Sequence, residues 1–320
     1  MSPESWRIDV GETGIRLDRA LASRLDLPRN QIQEWIRSGN ITLDGVTLPK
    51  PGHLLRKGEL VLWTRPATVE SRVIAEAGDL QILGLDDDFI VLDKPAGLTV
   101  HPGAGQSTGT LVHRLLSRFP ELAGVGGPGR PGIVHRLDKG TSGVMVVART
   151  GAAYRALSSG FASRRMDKRY LAIVHGVPKE PHGTIEAAIG RHAQERKRMT
   201  VRADGRVAIT RYRTLASAPG VSLLELTLLT GRTHQIRVHL KHLRHPIVGD
   251  PTYGEARHRG LPVQIAKILA GFPRPALHAW RLRFEHPTGE GAVEFEAPLP
   301  EDMTTLWRTL AGTEVLLPER

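Results

Sequence analysis

Ile133-Val-His-Arg-Leu-Asp-Lys-Gly-Thr-Ser-Gly143 runs directly into the apolar stretch Val144-Met-Val-Val-Ala148. A turn rich in Gly, Thr and Ser that feeds a β-branched run reads as a loop delivering the chain into a buried strand. Such a strand is a rigid mount, and the loop before it carries one acid, Asp138. His135 and Arg136 stand three and two residues ahead of it. A cation near the carboxylate is therefore expected to hold it ionised at neutral pH, which suits a nucleophile better than a general acid. Taken alone, an aspartate followed by Thr and Ser reads more readily as a turn former or helix cap.

Outward from that strand, periodicity places further strands at 80–85, 89–94, 144–149, 169–175, 207–214 and 222–229, and helices near 110–119, 151–163, 234–243 and 302–311. Strand-rich halves interrupted by single helices argue against a regularly alternating parallel sheet and for an α+β architecture. Val91-Leu-Asp-Lys-Pro-Ala-Gly-Leu-Thr-Val-His-Pro-Gly103 reads as a strand ended by a Pro/Gly turn. Lys168-Arg-Tyr-Leu-Ala-Ile-Val-His-Gly176 alternates like a half-buried strand, and its Tyr170 would by itself be a core tyrosine with a satisfied hydroxyl. In Leu229-Thr-Gly-Arg-Thr-His-Gln-Ile-Arg-Val-His-Leu240, Thr230-Gly231 closes a strand, and Thr233 is expected to cap a helix carrying Ile236, Val238 and Leu240. That spacing puts Arg232 at a turn beside a helix start, whereas Arg237 and Arg244 read as solvated. His234, His239, His242 and His245 crowd the same stretch without a His-Glu-x-x-His pattern or any cysteine, so polar contacts to a partner or to backbone are expected of them and no metal.

These segments, in this order, resemble the RluA-type pseudouridine synthases. His135-Arg-Leu-Asp138 with Thr141-Ser-Gly143 is similar to the family's catalytic motif, Lys94-Pro-Ala-Gly97 to its Lys-Pro-x-Gly, and Gly231-Arg-Thr-His-Gln-Ile-Arg237 to its Gly-Arg-x-His-Gln-Ile-Arg signature. His-Pro-Ile-Val-Gly-Asp-Pro-x-Tyr-Gly, ending at Gly254, and Ala276-Leu-His-Ala-Trp-Arg-Leu-Arg-Phe284 continue the likeness. The resemblance implies a mixed, largely antiparallel sheet and a central RNA cleft. It also implies Asp138 as the essential carboxylate, Tyr170 packed on the target base as a candidate for proton transfer, and Arg232 as the cation paired with Asp138. His135, Arg136 and Ile236 fall on the substrate side, with Arg136 filling the space of a flipped nucleotide. The reaction balances without redox cofactor, nucleotide or metal, so none is expected. Among subgroups the RluD type, which modifies a stem-loop of large-subunit (23S) ribosomal RNA, resembles the chain most, through His101-Pro-Gly-Ala-Gly105 and an appended N-terminal domain. A synthase acting on transfer RNA and a non-catalytic ribosome-assembly protein on the same scaffold are the alternatives.

That N-terminal part reads as a small domain, residues 1–66, followed by a linker, 67–78, and the catalytic domain, 79–320. Leu17, Leu21 and Leu25 share one helical face, Pro28-Arg29 opens a second helix holding Ile32 and Ile36, and Gly39 stops it. Ile41-Thr-Leu-Asp-Gly45 and Leu60-Val-Leu-Trp63 are short strands. Helix, helix, hairpin resembles the ribosomal-protein-S-four-like RNA-binding domain. Residues 1–70 hold ten Lys/Arg against nine Asp/Glu, and the remainder 34 against 24, so nearly all of the net +11 lies in the catalytic region. The near-neutral module is therefore expected to orient RNA, through Arg29, Arg37 and Lys50, more than to supply affinity. A pI of about 10.4 favours a polyanionic partner. The run Arg191-His-Ala-Gln-Glu-Arg-Lys-Arg198 is either a phosphate-contacting loop or a solvated hairpin tip. Aromatics at 5% argue against an extended stacking platform and for RNA recognised as a folded shape. Without cysteine there is neither disulfide nor thiol chemistry; with no apolar run of spanning length or signal-like start, a cytosolic, monomeric protein is expected.

Overall fold

The structure, a computed structural model, describes residues 3–318 apart from 26, 28, 48–49, 65–72, 104, 127–129, 196–197, 255–259, 290 and 316, with backbone only for 30 and 31. The chain divides into two units, Met1–Arg72 and Val73–Arg320, each with its own hydrophobic core.

In the first unit β1 (Glu4–Arg7), α1 (Leu17–Arg24), α2 (Arg29–Arg37), β2 (Ile41–Leu43), β3 (Val46–Thr47) and β4 (Leu60–Trp63) form two helices on an antiparallel sheet of order β1-β4-β2-β3. The helical spacing puts Leu17, Leu21, Ile32 and Ile36 against Ile41, Val61 and Trp63. Asp44 and Gly45, both with positive φ, make the tight turn from β2 to β3 that hairpin twist favours. The Asp18 carboxylate is fully buried and receives Arg16, Arg29 and Gln33. Burial alone would raise its pKa, but those donors hold it well below the usual carboxylate range. Arg29 is thus tied to Asp18 and Arg37 to Glu34, while Lys50 is exposed. Pro28, expected to open α2, lies outside the described residues.

The second unit comprises β5 (Gln81–Leu85), β6 (Phe89–Lys94), α3 (Leu111–Arg118), β7 (Ser142–Ala148), α4 (Gly151–Ala162), β8 (Asp167–His175), β9 (His182–Glu186), β10 (Ile189–Arg191), β11 (Met199–Val201), β12 (Ile209–Ala218), β13 (Val221–Leu228), α5 (Gln235–His242), α6 (Val263–Gly271), β14 (Leu277–Glu285), β15 (Ala292–Glu296) and α7 (Glu301–Ala311). Its large sheet runs β5-β6-β7-β14-β8-β13-β12-β9, with β15 also on β14, and among the described residues β7 beside β14 is its one parallel pair. This is the mixed, largely antiparallel α+β fold. All seven residues of β7 are buried because alternate side chains enter two cores: Met145 and Val147 join α3 and α7, whereas Val144, Val146 and Ala148 join α4. Of the expected linker, residues 67–72 are not described, and 73–78 are no free tether. Val73 packs on the larger core, and Glu76 bonds His113 and Gly109. Arg191–Arg198 caps the β10–β11 hairpin, with 196 and 197 outside the described residues.

Candidate active site

Asp138 lies on the loop that enters β7, and its surroundings fix that loop from two sides. Lys94, at the end of β6, is fully buried and donates to the carbonyls of Pro95 (2.7 Å), Leu98 (2.9 Å) and Lys139 (3.5 Å). An ammonium has three donors and no acceptor, so three converging carbonyls satisfy it. Burial pulls its pKa down to about 7, against the opposing pull of Asp138. On the other side Arg274, held by both oxygens of Asp302 at 2.6 Å, reaches the carbonyl of Gly140 at 3.4 Å. The Lys-Pro-x-Gly turn, read from sequence as a strand end, is thus a clamp on the Asp138 loop.

The cation on Asp138 is Arg237, not Arg232. Arg237 Nη1 donates to Asp138 Oδ2 at 3.0 Å, while its Nε and Nη2 grip the two oxygens of Asp250 at 2.7 and 2.8 Å. Asp250 has a wholly buried side chain and also accepts the backbone N–H groups of Thr252 and Tyr253. Burial opposes the Arg237 charge, but the two carboxylates outweigh it and raise its pKa; the same pairing lowers that of Asp250. Arg237 is the third residue of α5, whose first six residues are all buried. A guanidinium there must be paired, so the reading of Arg237 as solvated fails for a packing reason. Arg232 stands three residues before the helix, where its Nε donates to the carbonyl of Val207, and it faces the cleft rim.

The turn before α5 is set by Gln235, whose amide accepts from Thr230 Oγ1 and the Arg232 N–H and donates to Ile209 O and Thr210 Oγ1. His234, not Thr233, is the N-cap, in the left-handed region with φ 57°. Its Nδ1 meets Tyr253 Oη at 2.8 Å, and its Nε2 lies 3.9 Å from Asp138 Oδ2. His239 bonds Thr210 and the carbonyl of Ala187, and His245 bonds the carbonyl of His175. Among the described residues no three His, Asp or Glu side chains converge as metal ligands would.

Tyr170, on β8, is buried opposite Ala279 and Leu226. Burial, with Asp138 nearby, pushes its hydroxyl pKa up, so it is a neutral phenol. His135 is not the expected cation: burial lowers its pKa to about 3, the ring stacks on Phe161 at 4.4 Å, and Nε2 accepts the N–H of Val146 at 3.0 Å. It anchors the loop to β7 while lining the cleft. Asp138, Tyr170, His135, Arg136 and Ile236 all line one cleft of about 550 Å³, within the range of ligand sites, and Arg164, Lys168, Arg206 and Arg232 stand around them. Arg29, Arg37 and Lys50 belong to the other unit.

Residues 88–242 match the model of the RNA pseudouridylate synthase family, and residues 15–61 that of the S4 domain. A protein of Xanthomonas campestris pv. campestris named ribosomal large subunit pseudouridine synthase D is 46% identical over 300 residues, 93% of this chain and 89% of that one. The uncharacterized RNA pseudouridine synthase YlyB of Bacillus subtilis is 41% identical over 296 residues, 92% and 94% of the two chains. The solved structure of Human RNA Pseudouridylate Synthase Domain Containing 1 superposes with TM-score 0.59 and 31% identity, covering 80% of this chain and 94% of that one. The chain belongs to the RNA pseudouridine synthase family.

Three residues of this synthase's site were given no part in the chemistry by the sequence: Arg237, Asp250 and Tyr253. Arg237 closes the family-like Gly231–Arg237 signature and stands between apolar Ile236 and Val238, yet reads as solvated when taken alone. Asp250 and Tyr253 lie in the Gly-Asp-Pro-Thr-Tyr-Gly stretch, whose likeness to the family was legible but whose contact with α5 is tertiary.

Proposed function

We propose that this synthase isomerises uridine to pseudouridine in large-subunit ribosomal RNA, with Asp138 as the reacting carboxylate. The observation that carries the reading is a carboxylate held on one oxygen by Arg237, open to a cleft with a buried tyrosine and a cationic surround. In the reaction the bond from the ribose anomeric carbon to N1 breaks, the uracil turns, a bond forms to C5, and C5 gives up its proton while N1, which carried none, gains one. Asp138 acts at the ribose, by attack on the anomeric carbon or removal of a ribose proton, and both routes need it ionised. Arg237 is the counter-charge beside it, 3.0 Å from Oδ2.

Tyr170 offers a flat ring and a hydroxyl that stays protonated at neutral pH, suited to packing on the base and to proton transfer as a neutral group. A base within folded RNA reaches Asp138 only by leaving its stack, at a cost of a few kcal/mol. Arg136, exposed on the cleft, is the side chain assigned to the vacated space. The substrate class follows the names of relatives, several of them ribosomal large subunit pseudouridine synthase D, at 40–46% identity.

The test is tritium release from C5-labelled uracil in large-subunit ribosomal RNA. Wild-type protein should release label and Asp138→Asn should not, while its RNA affinity stays within about threefold because phosphate contacts dominate binding. Activity retained in that variant would remove Asp138 from the chemistry, and release from transfer RNA alone would reassign the substrate.

A further inference from the structure

The surroundings of Asp138 treat its two oxygens differently. Oδ2 accepts Arg237 and is faced by His234, whereas Oδ1 accepts no hydrogen bond from the described residues. Both groups on the Oδ2 side rest on one residue, Tyr253, which is 2% exposed. The Arg237 guanidinium lies over its ring at 5.0 Å, and the His234 ring meets it edge-on at 5.5 Å and 75°.

The hydrogen bonds of Tyr253 favour one tautomer of His234. Its hydroxyl oxygen accepts the N–H of Met199 at 2.8 Å, and the other partner the described residues give it is His234 Nδ1 at 2.8 Å; donating there is the arrangement that leaves no hydroxyl hydrogen unpaired on a buried tyrosine. A neutral imidazole that accepts at Nδ1 carries its proton on Nε2. That N–H lies on the Asp138 side, 3.9 Å from Oδ2, beyond a formed hydrogen bond but about 1 Å from one. The backbone holds it there at a cost, since a non-glycine residue in the left-handed region is uncommon and strained, and the buried Gln235 network beside it fixes that conformation.

We propose that His234 is a positioning residue for the reacting carboxylate: its Nε2–H, set by Tyr253, supplies a second donor to Asp138 Oδ2 when a nucleotide occupies the cleft, leaving Oδ1 to meet the ribose. Contacts of this kind are often long in the free enzyme and close in the reacting complex. The inference rests on Asp138 as the reacting carboxylate. It separates two jobs: Arg237 neutralises Oδ2, and His234 selects which oxygen is presented.

Two measurements on the full chain test it. Nitrogen-15 NMR of histidine-labelled protein, without RNA, should find His234 protonated at Nε2 and bare at Nδ1, and Tyr253→Phe should give a mixture of tautomers. A wild-type ring protonated at Nδ1 would overturn the proposal whatever the activity. In single-turnover isomerisation, His234→Phe keeps the ring without the donor and should fall about tenfold or more, the usual worth of a hydrogen bond to a charged group, with RNA Kd within about threefold. His234→Gln restores an N–H near the same place and should recover most of that loss. A phenylalanine variant at wild-type rate, or a glutamine variant no better than phenylalanine, would overturn it. Should Asp138→Asn prove active, the functional reading fails on its own, while the tautomer result still stands or falls separately.

Discussion

Arg237 is one cation shared by two carboxylates, and the sharing explains both its burial and its choice over lysine. Asp250 is wholly buried and could not be left unpaired; Asp138, the carboxylate proposed to react, stays open to the cleft. A planar guanidinium serves both because Nε and Nη2 fork onto one acid while Nη1 points to the other. A lysine has a single ammonium and cannot span them. Arg237→Lys should therefore lower the single-turnover rate by on the order of a hundredfold and lower the melting temperature by several degrees. A near-normal rate would mean Asp138 does not depend on this pair. Arg232 provides the contrast. Arg232→Met should leave the single-turnover rate within about threefold but weaken RNA binding and reduce the salt slope by about 1, as loss of one phosphate contact does. A large rate loss with unchanged binding would return Arg232 to the chemistry.

At the scale of elements, the site depends on where β7 meets β14. The chain leaves the Asp138 loop through Gly143, whose φ is 116° and where a Cβ would sit 2.1 Å from the carbonyl of Ala279. Neither the conformation nor the space admits a side chain. Gly143→Ala should cost about 3 kcal/mol, seen in urea unfolding, and displace Asp138 enough to reduce the rate; an unfolding free energy within about 0.5 kcal/mol of wild type would show the junction to be tolerant. The expected strands 89–94 and 169–175 and the helices near 151–163 and 302–311 match the observed elements to within two residues or so, because their apolar patterns report local burial. β14 and β15 went unassigned. In β14 the buried stretch contains His278 and Arg281, polar residues satisfied by Ser142, Ala297 and Glu296, so its pattern does not alternate. The N-cap of α5 was misplaced by one residue, since a left-handed histidine stabilised by Gln235 and Tyr253 has no local signal.

Across the whole molecule, two properties follow from what is buried and where charge lies. Several histidines are kept neutral, His278 with a pKa lowered to about 4 and His135 to about 3, each chiefly by burial. Their unfolded value is near 6.5. Between the two values the unfolded chain takes up protons that the folded one refuses, so this stability is complete above about pH 6.5 and is lost as pH falls toward 3. The unfolding midpoint should drop steadily from pH 7 to 4.5, and His278→Gln should flatten the slope; a midpoint independent of pH in that range would refute the assignment. Charge divides differently: the first unit is almost balanced while the second carries nearly all the excess. Because their cores are separate, deleting residues 1–66 should leave a folded protein that still isomerises uridine, with salt-dependent affinity but at more sites in ribosomal RNA. Unchanged selectivity would mean the small unit reads nothing, and a folded but inactive fragment that it is needed for docking.

The sequence by itself determined the fold class and the two-part organisation, and it singled out the loop that carries Asp138, the carboxylate proposed to react. Each of these rests on information within a few tens of residues: apolar period, turn chemistry, charge balance and the His-Arg-Leu-Asp loop. Only the tertiary structure decided which arginine meets Asp138. Arg232 and Arg237 are five residues apart on one segment, and both types and spacings allowed the pairing. Helical geometry turned Arg237 into the core, where Asp250, thirteen residues on, had to be satisfied, and left Arg232 at the rim with a backbone carbonyl. The orientation of His234 was decided the same way, by a tyrosine whose hydroxyl is committed to a strand across the cleft wall. A buried charge takes its partner from whatever the fold brings near, and no local pattern records that choice.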